Sequence, residues 1–162
     1  MRFTHRLTLW LAASLLTGLS YASDPLWALK LPDPQGKSQA LQQWQGKPVI
    51  VNYWATWCGP CRQEMPEMVA LQKQYAGKIQ FIGIAIDEPQ PVAQFAKQLK
   101  VNYPILIGGD SAMQLMRQQG NAMGGLPFTV FFDGKGQRVH QHLGKISHAQ
   151  LEEQIKRLLN AR

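Results

Sequence analysis

Residues 49–55 read Val-Ile-Val-Asn-Tyr-Trp-Ala, a nearly unbroken β-type run that constrains the fold more than any other segment. A strand with one wet face alternates polar and apolar residues, whereas a run this continuous suits a strand covered on both faces. Such strands belong to α/β sheets with helices packed on each side. Two residues further on the chain reads Cys58-Gly59-Pro60-Cys61, and a helical pattern follows over residues 59–75, with Met65, Met68, Val69 and Gln72 at helical spacing. Pro60 falls in the first turn, where its missing N–H is not needed. Pro66 lies deeper and is expected to kink the helix. The methionines read as core.

The rest of the chain repeats the strand–helix theme. Residues 79–86 (IQFIGIAI) form a second buried run, ending at Asp87-Glu88-Pro89. Residues 91–100 place Val92, Phe95, Ala96 and Leu99 on one helical face. Residues 103–107 read as a strand and 111–119 as a helix with Asp110 as N-cap. Gly124-Gly125-Leu126-Pro127 breaks the chain before a strand at 128–132. Asp133-Gly134-Lys135-Gly136 then signals a hairpin turn, with its second strand at 137–143. Ser147 caps a last helix that runs to about Asn160, with Leu151, Ile155, Leu158 and Leu159 on its apolar face. Ahead of all this, residues 27–31 and 38–41 flank the turn formers Pro32 to Lys37 and predict an N-terminal hairpin. The expected architecture is α/β, a central mixed sheet flanked by helices, with parallel strands in the middle and one antiparallel edge. The Cys58–Cys61 turn falls at the C-terminal end of its strand, where such sheets carry their functional groups.

Residues 1–22 stand apart. Arg2 and Arg6 precede an uncharged apolar run over residues 7–19, and Ser20-Tyr21-Ala22 supplies small residues at −3 and −1 of a cleavage site. This order is that of a secretory signal peptide. The run is shorter than the roughly 18–20 apolar residues that cross a bilayer. The expected mature domain is 23–162, and retention of the segment as an N-terminal anchor is the alternative. The formal net charge is +7, but the basic residues are scattered, with Lys156-Arg157 the only adjacent pair outside the head. Nucleic-acid binding is therefore unsupported.

Only two cysteines occur, at the ends of Cys58-Gly59-Pro60-Cys61. As a structural staple this pair has little to offer. So small a ring restricts the unfolded chain by only about 2 kcal/mol, against roughly 4–5 kcal/mol for a long loop. Half a zinc site is a second alternative, but His5, His140, His142 and His148 supply no matching spacing. His140 and His142 share a strand face without a third ligand, and no metal is expected. A pair that opens and closes explains the motif best. The thiolate is the reactive species, and a free thiol with pKa near about 8.5 must be lowered to act at neutral pH. Cys58 at a helix N-terminus meets unsatisfied N–H groups and the positive end of the helix dipole. Cys61 lies one turn on, so the Cα atoms should be roughly 5–6 Å apart, within disulfide range.

The run Val51-Asn52-Tyr53-Trp54-Ala55-Thr56-Trp57-Cys58-Gly59-Pro60-Cys61 with Glu64-Met65-Pro66, together with Gly125-Leu126-Pro127-Phe128-Thr129 and Phe131-Phe132-Asp133, resembles the thioredoxin superfamily. The resemblance is greatest to its exported TlpA-, ResA- and DsbE-like branch and spans almost all of the mature chain. It implies a thioredoxin-like fold with an N-terminal β-hairpin and a central helix–strand insertion at about residues 88–109. It implies that Pro127 is a cis-proline facing the cysteines, and that the backbone of Leu126 meets an extended substrate. An ordinary trans proline at a strand start is the alternative. Trp57, Gly59 and Pro60 would complete the docking surface, and Trp54 would be core. Where cytoplasmic thioredoxins carry a buried Asp, this chain has Asn52, so that acid is missing. Glu64, at i+3 from Cys61 and on its helical face, is expected to shuttle the proton of the resolving thiol. The alternative for Glu64 is a solvated acid near a helix N-terminus.

The implied activity is that of a periplasmic or otherwise exported disulfide reductase, with cytochrome maturation as the family's typical setting. Its partners would be a client protein with a disulfide or cysteine pair and a membrane-bound thiol electron donor. A monomer is expected, and no cofactor beyond the Cys58–Cys61 disulfide. Gly59-Pro60 matches reducing thioredoxin at about −270 mV rather than the oxidant DsbA at about −120 mV. Oxidase or isomerase action is the alternative within the same chemistry. A non-catalytic module that presents haem or an apoprotein is the alternative outside it. A peroxidase of peroxiredoxin type lacks its Pro-x-x-x-Thr/Ser-x-x-Cys approach, because the residue three before Cys58 is Ala55. A copper chaperone would need a CxxxC spacing with a distal His.

Overall fold

The computed structural model describes residues 23–161, so residues 1–22, expected to be a signal peptide, lie outside the described residues. A small antiparallel hairpin pairs β1 (Lys30–Pro32) with β2 (Ser38–Ala40), Lys30 opposite Ala40 and Pro32 opposite Ser38. The hairpin is shorter than the apolar runs implied. Trp27 belongs instead to a 3-10 turn at Pro25–Ala28, and Leu41 opens another at Leu41–Trp44.

The main sheet holds β3 (Val49–Trp54), β4 (Gln80–Ala85), β5 (Ile105–Ile107), β6 (Phe128–Phe132) and β7 (Arg138–Leu143) in the order β5-β4-β3-β6-β7. β3, β4 and β5 run parallel; β6 pairs antiparallel with β3, and β7 antiparallel with β6. The expected mixed sheet is present, but its parallel strands fill one half rather than the middle, with β3 at the seam. Burial of every residue of β3 matches its unbroken apolar run.

The two faces of β3 belong to two separate cores. Ile50 and Trp54 join Met65, Met68 and Leu71 of α1 (Gly59–Gln74) and Leu151, Ile155 and Leu158 of α4 (His148–Asn160). Val49, Val51 and Tyr53 join Leu26, Leu41 and residues Ala112, Leu115 and Met116 of α3 (Gly109–Gln118). The remaining helix, α2 (Pro89–Gln98), packs on the first face, burying Val92 fully and Phe95, Ala96 and Leu99 partly. α2 and β5 are the helix and strand expected at residues 88–109.

Two local readings are corrected. α2 begins at Pro89, not residue 91, because two prolines fit a first turn whose N–H groups have no helical partner. α3 is capped by Gly108 rather than Asp110, which lies in its first turn. Close packing at the end of β4 is the reason: a Cβ on Gly108 would stand 2.3 Å from Ala112 Cβ and 2.6 Å from Ile84 Cγ2. α1 continues through Pro66 to Gln74 as one helix. Ser147 does cap α4, in a reciprocal capping box with Gln150.

Asp133 Oδ1 accepts from the N–H groups of Lys135 and Gln137, closing the β6–β7 turn. The carbonyl of Gly136 in that turn accepts a 2.7 Å hydrogen bond from Trp27 Nε1, tying the N-terminal segment to the sheet. Gly136 has φ +78°, and a Cβ there would meet Gln45 Nε2 at 2.7 Å and the Trp27 ring at 3.0 Å. Gly136→Ala should therefore destabilise the domain by about 1–3 kcal/mol, read as a lowered denaturation midpoint at unchanged slope.

Candidate active site

β3 ends at Trp54, and Ala55 to Cys58 make the turn into α1, closed by a hydrogen bond from Cys58 N to Ala55 O of 3.2 Å. Cys58 is the N-cap of α1 in extended conformation, and its Sγ accepts from Cys61 N at 3.3 Å. That contact is the N-terminal donor expected to favour a thiolate at this sulfur. The two cysteines form a disulfide with Cα atoms 5.3 Å apart. Gly59 and Pro60 are exposed in the first turn, whereas Cys58 is 6% exposed and Cys61 fully buried. Trp57 is 69% exposed beside the bridge, and Trp54 is fully buried against Phe95 at 5.5 Å between ring centroids.

The Leu126–Pro127 bond is cis. Sheet register places this loop at the same end of the sheet as the cysteines. β6 is antiparallel to β3 with Phe128 opposite Tyr53, so the residues just before Phe128 lie beside the residues just after Tyr53. Leu126 is half-buried against the cluster that contains Cys58 and Cys61, and Pro127 is buried. On another side stands α2. The Arg62 guanidinium lies 5.4 Å from the Phe95 ring centroid, and Gly59, Arg62, Gln63, Phe95 and Leu99 line a shallow groove alongside the first turn of α1. A larger groove of about 490 Å³ lies away from the cysteines, between the hairpin and the insertion, where Asp33, Trp44, Lys97 and Tyr103 line it.

Glu64 is not a solvated acid. Its side chain is fully buried, one turn beyond Cys61 on the same helical face. Asn52 Nδ2 donates to Oε1 at 2.8 Å, and the Ile146 N–H donates to Oε2 at 2.9 Å. Asn52 Nδ2 also reaches Thr129 Oγ1 at 3.2 Å, across the β3–β6 register where these two residues are partners. Asn52 thus marks more than the absence of an acid, because it holds the acid that α1 supplies. Burial raises the Glu64 pKa to about 7, against the opposing pull of the Ile146 N–H, the Asn52 amide and the Lys145 charge. A carboxyl group with that pKa can give or take a proton at neutral pH.

Among the described residues, no three His, Cys, Asp or Glu side chains come together as a metal-ligand cluster. His140 packs on Phe131 with centroids 5.4 Å apart, and His142 Nε2 lies 3.2 Å from the Lys145 carbonyl. Two participants went unread in the sequence. The Ile146 N–H is a backbone donor from a loop, which leaves no trace in residue type. Asp87, seen only as a strand end, accepts hydrogen bonds from Thr56 ahead of the cysteines. Its signal was its position two residues past a strand parallel to β3.

Glu64 also sets a pH dependence of stability. Its folded pKa exceeds its ordinary value of 4.5, so the native state binds more protons than the unfolded state between that value and about 7. Stability therefore falls as pH rises through this window, by about 3 kcal/mol, and levels off above it. In Glu64→Gln this slope should vanish, as measured by denaturant titrations of the oxidised protein from pH 4 to 8; an unchanged slope would contradict the assignment.

The Redoxin family model matches residues 21–158. The chain is 36% identical over 124 residues to thioredoxin-like protein YneN of Bacillus subtilis, covering 74% of this chain and 70% of that one. It is 33% identical over 128 residues to thiol-disulfide oxidoreductase ResA of Bacillus thuringiensis, covering 78% and 72%. Among solved structures, a putative thiol:disulfide interchange protein DsbE from Chlorobium tepidum superposes with a TM-score of 0.70 at 30% identity, over 81% of this chain and 92% of that one. The cysteine pair at the tip of α1 and these likenesses agree: the chain belongs to the Redoxin family, within the ResA- and DsbE-like thiol–disulfide oxidoreductases of the thioredoxin superfamily.

Proposed function

We propose that the chain reduces disulfides of partner proteins by cycling Cys58 and Cys61 between dithiol and disulfide. The observation that carries this reading is the bridge at the helix tip, with Cys58 as N-cap and its sulfur accepting the Cys61 N–H. In the reduced protein the Cys58 thiolate attacks one sulfur of a client disulfide. A mixed disulfide forms and one client thiolate leaves. Cys61 then passes its proton to the Glu64 carboxylate and attacks Cys58 Sγ, closing the bridge and releasing the second client thiolate. Two electrons move from the cysteine pair to the client, and the Glu64 proton is returned to a client thiolate or to solvent. Burial suits Cys61 and Glu64 to this second step, while the slight exposure of Cys58 suits it to the first.

Client docking is assigned to the surface around the bridge: Trp57, Gly59 and Pro60 on one side, and the Leu126–Pro127 loop on the other. The strong exposure of Trp57 and the placement of the cis-proline at the same sheet end support this. The compartment is proposed to be periplasmic or otherwise exported, from the signal-like order of residues 1–22. Electrons would then come from a membrane-bound thiol donor. Among the described residues no helix is long and apolar enough to cross a membrane. The reducing direction rests on Gly59-Pro60, and a client in cytochrome maturation rests on family resemblance.

Two experiments test the cycle. Cys58→Ser should abolish insulin disulfide reduction, whereas Cys61→Ser should accumulate a client held on Cys58 and released by dithiothreitol. Activity that survives Cys58→Ser would instead support a binding module. Glu64→Gln should slow reduction at pH 7 by about tenfold or more and move the Cys61 titration. A wild-type rate with unchanged cysteine titrations would remove Glu64 from the mechanism.

A further inference from the structure

The turn that presents Cys58 is gripped from outside its own strand and helix. β3 and β4 are parallel neighbours that end together, with Trp54 opposite Ala85, and the Ile86 N–H extends the ladder to the Trp54 carbonyl at 2.8 Å. Two residues past each strand end, Thr56 and Asp87 therefore face one another across the carboxyl edge of the sheet. Asp87 Oδ2 accepts from the Thr56 N–H at 2.8 Å and from the Thr56 hydroxyl, while Asp87 Oδ1 accepts from the Glu88 N–H at 2.8 Å. Both side chains are half-buried. Burial pushes the Asp87 carboxyl up, but the Thr56 hydroxyl and N–H and the Glu88 N–H outweigh it and hold the pKa below the usual carboxylate value. It is a bound carboxylate rather than a solvated one.

Thr56 lies second in the Ala55–Cys58 turn, so its position sets where the next two residues go. Those residues are the exposed Trp57 and the attacking cysteine. The turn has one backbone bond of its own, from Cys58 N to Ala55 O at 3.2 Å. Asp87 adds two more at Thr56, and it does so from the first residues of the segment that leads into α2. We propose that Asp87 is a positioning residue for thiol exchange: through Thr56 it holds the 55–58 turn so that Cys58 keeps its place at the tip of α1 and Trp57 stays turned toward the client. The inference rests on the exchange chemistry proposed above and assigns to the residue just ahead of the insertion a task at the site. Asp87 touches neither sulfur in this scheme. Its charge is a separate matter, since a carboxylate near a thiolate opposes ionisation.

Geometry and charge are separable by substitution. Asp87→Asn leaves an amide oxygen that can accept both Thr56 bonds, and it removes the charge; Asp87→Ala removes both. Steady-state reduction of insulin and the pH dependence of Cys58 alkylation would be measured on each, with far-UV circular dichroism to confirm folding. Asp87→Ala should lower kcat/KM by about tenfold, as expected when a reacting group is displaced, and should shift the Cys58 titration upward. Asp87→Asn should stay within about twofold of wild type with a Cys58 titration shifted downward. Thr56→Val, which keeps the N–H and loses the hydroxyl, should fall between the two and serves in place of Asp87→Ala should that variant fail to fold. Equal loss in Asn and Ala variants would make charge the agent, and wild-type kinetics and titration in Asp87→Ala would make the clamp merely structural; either overturns the proposal. An inactive wild-type protein would instead overturn the exchange reading itself, which keeps the two failures distinct.

Discussion

Both faces of β3 are covered, and much else follows from that enclosure. Ile50 and Trp54 face α1, α2 and α4, and Val49, Val51 and Tyr53 face α3 and the N-terminal turns. A strand buried in this way has no polar surface along its length. What it can offer to another molecule is whatever emerges at its carboxyl end, and there the chain turns straight into a helix. The cysteines sit at that junction, so a strand buried along its whole length sets the position of the sulfur, and the N–H groups of the first turn of α1 set its chemistry.

Asn52 is the exception within β3, and it shows how a polar group survives there. Most buried amides and carboxyls are partnered; Asn52 is held through its Nδ2, while its Oδ1 has no partner among the described residues. Asn52 reaches Glu64 on the helix above and Thr129 on the next strand, while the loop before α4 supplies the Ile146 N–H to the second carboxyl oxygen. β3 and that loop thus converge on the acid that α1 carries, and β6 braces Asn52 through Thr129. The network gives Glu64 enough hydrogen bonds to be tolerated, yet too few charges to be fully ionised at neutral pH. A carboxyl group in that condition costs stability as pH rises, and it is the same condition on which the proton transfer proposed beside Cys61 relies.

The insertion plays a related part from the opposite side. Phe95 packs against Trp54 and under Arg62, and Asp87 binds Thr56. The segment between β4 and α3 therefore touches the end of β3, the turn and the first helical turn in succession. An added helix and strand that only enlarged the core would not need to reach all three.

Much of this was legible in the chain itself. Unbroken apolar runs announced β3 and β4, helical spacing announced α1 and α4, and Ser147 announced a cap, because each of these signals is confined to a few residues. The site's covalent part was equally plain: two cysteines three apart before a helix have one obvious geometry. The hairpin's limits, the start of α2 and the cap of α3 were misplaced, since packing at Gly108 and tolerance of paired prolines outweighed local preference. Residue order also left Glu64 undecided between solvent and interior. Only the folded chain settled that, by laying α4's approach loop over the helix and setting Asn52 beneath it. A pKa belongs to an environment assembled from β3, α1 and a loop some eighty residues away, so no neighbourhood in the sequence contains it. The cysteines' pairing, by contrast, needed nothing beyond one turn of helix.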